Sequence, residues 1–210
     1  MDKNLMLLFT DEPIIAKIRN KLPYLFQLAE LESSRAGKIG MQVGSKREEI
    51  LSALLIYKFG ENNVETNIPI TEPEVDVKLF GNQISIKTIS GREPNGVKLI
   101  WTVDSEKAKL FLETWRPKYD MILAHINWGS SGALYYIPTE VQSNVFDTLG
   151  REKYIKLPKQ GTNPRGVELS NDATRMLVDS DKTMSISIEW KKTLIDYSPF
   201  KRWVELWGDS

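Results

Sequence analysis

Apolar positions along the chain change period several times, and each change marks an element. Over residues 4 to 32 they recur at helical spacing, with Asp11 and Pro13 interrupting the run, so the pattern predicts two helices, the second through LPYLFQLAELE. The segment SSRAGKIGMQVGSKREE is rich in glycine and basic residues and reads as a loop entering a helix. Ser45 and Glu48 stand in capping-box spacing there, Ile50, Leu51, Leu54, Leu55 and Phe59 form an apolar face, and Gly60 ends it. The period then drops to two. Val75, Val77 and Leu79 precede Gly81-Asn82, and Ile84 and Ile86 follow, which predicts a β-hairpin.

Downstream, VKLIWTV predicts a strand, and DSEKAKLFLETW a helix capped by Asp104 or Ser105 and stopped near Pro117. YDMILAHINW and GALYYIP predict two strands joined across Gly129 to Gly132. Helices near Glu140 to Leu149 and Asn171 to Asp179, a strand at MSISIEW and a last helix after Ser198-Pro199 complete the order. This succession predicts a fold in the α/β to α+β range, a mixed central sheet flanked by helices. We divide it into an N-terminal helical part, residues 1 to 36, and a core over residues 37 to 210.

Composition narrows the chemistry. The chain has 210 residues, 41% of them hydrophobic and 27% charged, and no apolar run of membrane-spanning length, which points to a globular, cytoplasmic protein. It has no cysteine, so disulfides and thiolate metal sites are excluded. Its one histidine, His125, lies in the apolar run MILAHINW and reads as a packed strand residue. Serine-histidine triads and two-histidine metal sites are therefore hard to build. Catalysis would run on carboxylates, lysine and a hard cation with oxygen ligands. With 28 basic and 28 acidic residues the net charge is zero, which disfavours a non-specific nucleic-acid coat and leaves room for a selective, clefted binder.

The hairpin carries Asp76 on its first strand and Lys87 on its second, beside Ser85 and opposite the inward Ile84 and Ile86. One reading is an ordinary cross-strand ion pair, worth roughly 0.2–1 kcal/mol. The other is a hydrolytic site, with the acid holding a cation and the lysine beside the attacking water. Pro73-Glu74-Val75-Asp76 followed by Ser85-Ile86-Lys87 resembles the PD-(D/E)XK nuclease pattern. The blocks ISIKTISG, VKLIWTVD, YDMILAHINWG, LYYIP, GTNPRGVELS and RWVELW together look like a type II restriction endonuclease of the ThaI-type family, from about Gly40 onward. The resemblance implies a restriction-endonuclease-like fold, magnesium-dependent cleavage of both strands of double-stranded DNA at a specific sequence, and a homodimer.

It also implies roles residue by residue. Asp76 holds the metal, Lys87 orients water, and Ser85 stands where the pattern has an acid. A hydroxyl is a poor substitute for a carboxylate. The missing acid is sought in Glu48, then Glu49, then Glu113, with Glu74 available if the strand is bulged. If none serves, the chain is a non-catalytic DNA-binding or nuclease-like subunit.

For DNA contact we single out the loop before the helix, with Arg35, Lys38, Lys46 and Arg47 for phosphates and Met41 and Gln42 for the minor groove, Met41 as a wedge. Asn163 and Arg165 are the candidates for base readout, since each can bond a base edge twice. Trp101, Trp128, Trp190, Trp203 and Trp207 read as core. The apolar runs Leu5 to Phe9 and Leu22 to Leu31 are where a dimer interface is sought.

Overall fold

The computed structural model describes residues 2–35, 38–39, 42–69, 72, 74–94, 96–158 and 166–208. In chain order these form α1 (Lys3–Thr10), α2 (Glu12–Glu32), β1 (Ser34–Arg35), β2 (Lys38–Ile39), α3 (Val43–Phe59), β3 (Val64–Glu65), β4 (Val77–Leu79), β5 (Asn82–Ser90) and β6 (Lys98–Ile100). There follow α4 (Ser105–Thr114), β7 (Asp120–Ile126), β8 (Ser131–Ile137), α5 (Thr139–Leu149), α6 (Arg151–Tyr154), β9 (Ile155–Lys156), β10 (Val167–Leu169), α7 (Asn171–Val178), β11 (Met184–Glu189) and α8 (Lys201–Gly208). Nearly every predicted helix and strand is present.

Six strands form the central sheet in the order β11-β8-β7-β5-β4-β3. Every neighbouring pair is antiparallel except β5 and β7, whose crossover runs through β6 and α4. The mixed sheet is therefore as expected. Strand β7 is buried on both faces, which is why MILAHI reads as one continuous apolar run. His125 is buried within it and shares a hydrogen bond with the Gly91 carbonyl, the packing role its setting predicted.

Two cores lie on the two sheet faces. On one, α1, α2 and α3 cover Ile84, Ile86, Ile122 and Tyr136. On the other, α5 to α7 and a small sheet ordered β6-β10-β9 enclose Met121, Leu123, Trp115 and Tyr154. The N-terminal helices share the first core. Leu5, Leu8 and Phe9 are buried in it, as are Leu22 and Phe26, so these residues cover the sheet.

The hairpin between β4 and β5 turns on Phe80 and Gly81, with φ of 49° and 81°. Positive φ at both central residues of a two-residue loop is the type I′ geometry, whose twist matches paired strands. It sets the register Val77↔Ile84 and Leu79↔Asn82. Helix α3 starts at Val43, with Gln42 at the cap position and no side-chain cap bond, so the predicted capping box of Ser45 and Glu48 does not form. The helix starts three residues earlier than expected, which places both side chains inside its first turns.

The tryptophans divide. Trp190 is fully buried, stacked on Phe26 at 5.5 Å, and Trp128 packs edge-on against it. Trp101, Trp203 and Trp207 are 62%, 58% and 91% exposed, against expectation. Trp101 lies one residue past the short β6, and α8 has no buried residue.

Gly132, on β8, is a close-approach position: an added Cβ would stand 2.2 Å from the His125 carbonyl oxygen and 2.6 Å from Trp190 Nε1. Backbone cannot yield there cheaply. Gly132→Ala is expected to destabilise the protein by about 1–3 kcal/mol, measured by denaturant unfolding.

Candidate active site

Asp76 sits immediately before β4, its amide donating to the Ile84 carbonyl at 3.0 Å. This extends the hairpin by one residue and turns the carboxylate onto the face of β5 opposite Ile84 and Ile86. There, Asp76 Oδ2 accepts from the Ile86 amide at 2.6 Å, from Lys87 Nζ at 3.0 Å and from Ser85 Oγ at 3.3 Å. All three donors converge on one oxygen. Ser85 thus supports the acid, which is a different task from ligating a cation.

Glu48 comes from α3, whose Leu51 and Leu55 anchor it in the first core. Burial pushes its carboxyl above the usual range; the Asp76 charge pushes it further, and Lys87 opposes both. Two acids and a lysine from three elements therefore meet. They line a pocket of about 310 Å³ with Gly44 and Ser45 on one wall and Lys98 to Trp101 on the other. The opposite wall went unnoticed in the sequence, because Lys98 and Trp101 flank what reads as an ordinary strand. Lys98 is held by Glu168 at 3.2 Å and lies over the Trp101 ring.

The other acids separate. Glu49 is exposed on α3 and off the pocket wall, and Glu113 is exposed on α4. Glu74 accepts from the Trp115 indole N–H, in a small second cavity behind Ser85 and Lys87. Among the described residues no group of three or more acidic or histidine side chains is placed to hold a metal. The donor set is a pair of carboxylates, Asp76 and Glu48. It fits a hard divalent cation that keeps several waters, since Lys87 offsets only part of the charge that two carboxylates bring to a partly desolvated pocket.

Arg47 requires a correction. Expected to contact phosphate, it is 5% exposed and ion-paired with Glu30, and it donates to Ser90 Oγ at 2.8 Å. Glu30 also accepts from the Trp128 indole at 2.6 Å and pairs with Lys192 at 3.1 Å. The amphipathic stem and fork of arginine suit such burial as well as they suit phosphate, and residue type alone does not separate the two. The pair ties α2 to the first turns of α3 and to the end of β5, one residue from Glu48. Lys46 is half-exposed, 3.7 Å from Glu32, and Gln42 is exposed at the start of α3. Met41, Asn163 and Arg165 lie outside the described residues, as do the side chains of Arg35 and Lys38.

The family model described as restriction endonuclease ThaI matches residues 8–209. A solved structure described as a restriction endonuclease in complex with substrate DNA is 66% identical, covers 99% of this chain and 100% of its own, and superposes with a TM-score of 0.94. No curated protein sequence gives a significant match.

Two outcomes follow from the electrostatics. Glu30→Gln leaves Arg47 buried and unpaired and is expected to lower stability by about 3–5 kcal/mol, read by denaturant unfolding. For Glu48 the raised carboxyl pKa means that its ionised form is disfavoured in the folded state, so the penalty grows as pH rises above the unfolded value and is absent below it. With chelator present, Glu48→Gln should melt higher than wild type at pH 8. The gap should close below about pH 4, and calcium should raise the melting temperature of wild type far more than that of the variant.

Proposed function

Because the chain belongs to the ThaI restriction endonuclease family and is a site-specific deoxyribonuclease, we propose that it cleaves both strands of DNA at a short specific sequence, as a type II enzyme dependent on magnesium. The observation that carries the proposal is the meeting of Glu48, Asp76 and Lys87 in one pocket. The rival, a binding subunit that lost a ligand at Ser85, rested on a missing acid. In our reading Glu48, which lines the same pocket as Asp76 and Lys87, takes the place of that acid.

A bound magnesium ion would supply positive charge to the phosphate oxygens and lower the pKa of a water. Asp76 and Glu48 would hold it. Asp76 Oδ2 already carries three donors, so the carboxylate is oriented before any ligand arrives. Lys87 Nζ, fixed by that carboxylate, would direct the attacking water in line with the leaving 3′ oxygen. Ser85 would act through Asp76, keeping its rotamer.

DNA would lie along the pocket mouth. Gly44 and Ser45, in the first turn of α3, form part of the wall, so we place the start of this helix against the duplex and keep Met41 and Gln42 as our candidates for the minor groove and Lys46 for a phosphate. Asn163 and Arg165 are our candidates for base readout in the major groove. A palindromic site has a twofold axis, so we take the working unit to be a homodimer. No helix among the described residues is long and apolar enough to cross a membrane, and we place the enzyme in the cytoplasm.

Wild-type protein incubated with phage DNA and magnesium is expected to give discrete bands, and none with EDTA. Asp76→Ala, Lys87→Ala and Glu48→Ala should each lower the cleavage rate by about 100-fold or more, while Glu49→Ala cuts as wild type. Full activity in Glu48→Ala would sink the assignment of the second acid.

A further inference from the structure

The C-terminal arm gathers several of the most exposed apolar side chains among the described residues. The chain leaves β11 at the buried Trp190 and is pinned once more at Thr193, whose amide donates to Gln27 Oε1 at 2.8 Å and whose carbonyl accepts from Gln27 Nε2 at 2.7 Å. Beyond that point Leu194 is fully exposed, Phe200 is 70% exposed and Val204 67%, alongside Trp203 and Trp207. Phe200, Trp203, Val204 and Trp207 recur at i, i+3, i+4 and i+7, a continuous stripe along α8. Such a stripe is built to be covered.

A matching surface lies on the outer side of α2 and α3. Ile18, Leu22, Leu25, Ile50, Leu54 and Tyr57 line an apolar groove of about 320 Å³. Lys17 and Lys21 stand on its edge.

We propose that the arm docks in this groove on a second copy of the chain, exchanged reciprocally about a twofold axis. Area favours a second copy. With aromatic side chains burying roughly 150–250 Å² each, the exposed arm presents on the order of 700–800 Å² of apolar surface, about one partner's share of a standard interface near 1,600 Å². Soluble monomers rarely leave a patch of that size bare. The exchange also keeps the pocket free, because none of the arm or groove residues lines it. The proposal rests on the homodimer read above and names the surfaces that make it.

The test separates the two surfaces. Trp203→Asp/Trp207→Asp disables the arm; Leu25→Asp/Tyr57→Asp disables the groove at exposed positions. In sedimentation at micromolar concentration wild type should be a dimer, and each variant should dissociate at least about 100-fold more readily. Mixing the two variants should restore dimers, because one arm and one groove in each mixed pair remain intact. Melting curves check that every protein is folded. Dimeric arm variants, or a mixture that stays monomeric, would overturn the docking while leaving the dimer itself in place. Unchanged mass with a lowered melting temperature in the arm variant would mean that the arm covers its own protomer, which also overturns it. Wild type that stays monomeric, even with DNA, would remove the dimer and the docking together, while cleavage bands on a gel judge the nuclease reading separately.

Discussion

A slip of one residue between β4 and β5 would send Lys87 into the first core and bring Ile86 out beside Asp76. Strand geometry allows no intermediate, because side chains alternate and a shift by one exchanges the faces of the whole strand. The register is held from both ends, by the left-handed pair Phe80 and Gly81 at the turn and by Ile84 and Ile86 in a fully buried layer. The Asp76 contacts follow from that register. A carboxylate one residue before β4 falls opposite Ser85, and its oxygen reaches the Ile86 amide and the two polar side chains flanking it. The site is a consequence of packing on the far side of the same strand.

Glu48 reaches this face from outside the sheet. Its helix is anchored by Leu51 and Leu55 beneath and clamped at its start by Arg47, so the acid is presented by a rigid element. Local and tertiary forces oppose each other at this position. Burial and the Asp76 charge both disfavour the ionised form, and the packing of α3 holds the carboxyl there regardless. Natural sequences accept such conflict mostly where function requires it.

Much of the fold was legible because period and punctuation agreed: the hairpin, the two central strands, the helices on either side and the pairing of Asp76 with Lys87 all show in the spacing of apolar residues. What stayed hidden shares one cause. Arg47 and Trp101 have side chains that serve equally well buried or exposed, and only the neighbours decide. Arg47 found a buried carboxylate seventeen positions away. Trp101 followed a strand of three residues that pairs with the bulged β10 in a minor sheet, so its apolar run ended at the surface. For α8 the tryptophans read as core and are exposed, because nothing in one chain's pattern tells which surface an apolar helix face will meet. Glu48 lay between these cases: its place at the head of an apolar stripe pointed inward, while Glu49 beside it carried the same residue type and faces water.

The Glu30 carboxylate serves an arginine, an indole and a lysine at once. A hub of that kind leaves little room for gradual change. Replacing Glu30 strands Arg47 inside the protein, while replacing Arg47 leaves Glu30 only Trp128 and Lys192, so neither position can drift alone without passing through a weakened protein. Any lineage that alters this corner has to change both ends together or find an apolar pair of the same volume. The neighbourhood of the candidate site is thereby insulated from single substitutions by a buried residue that does not line its pocket.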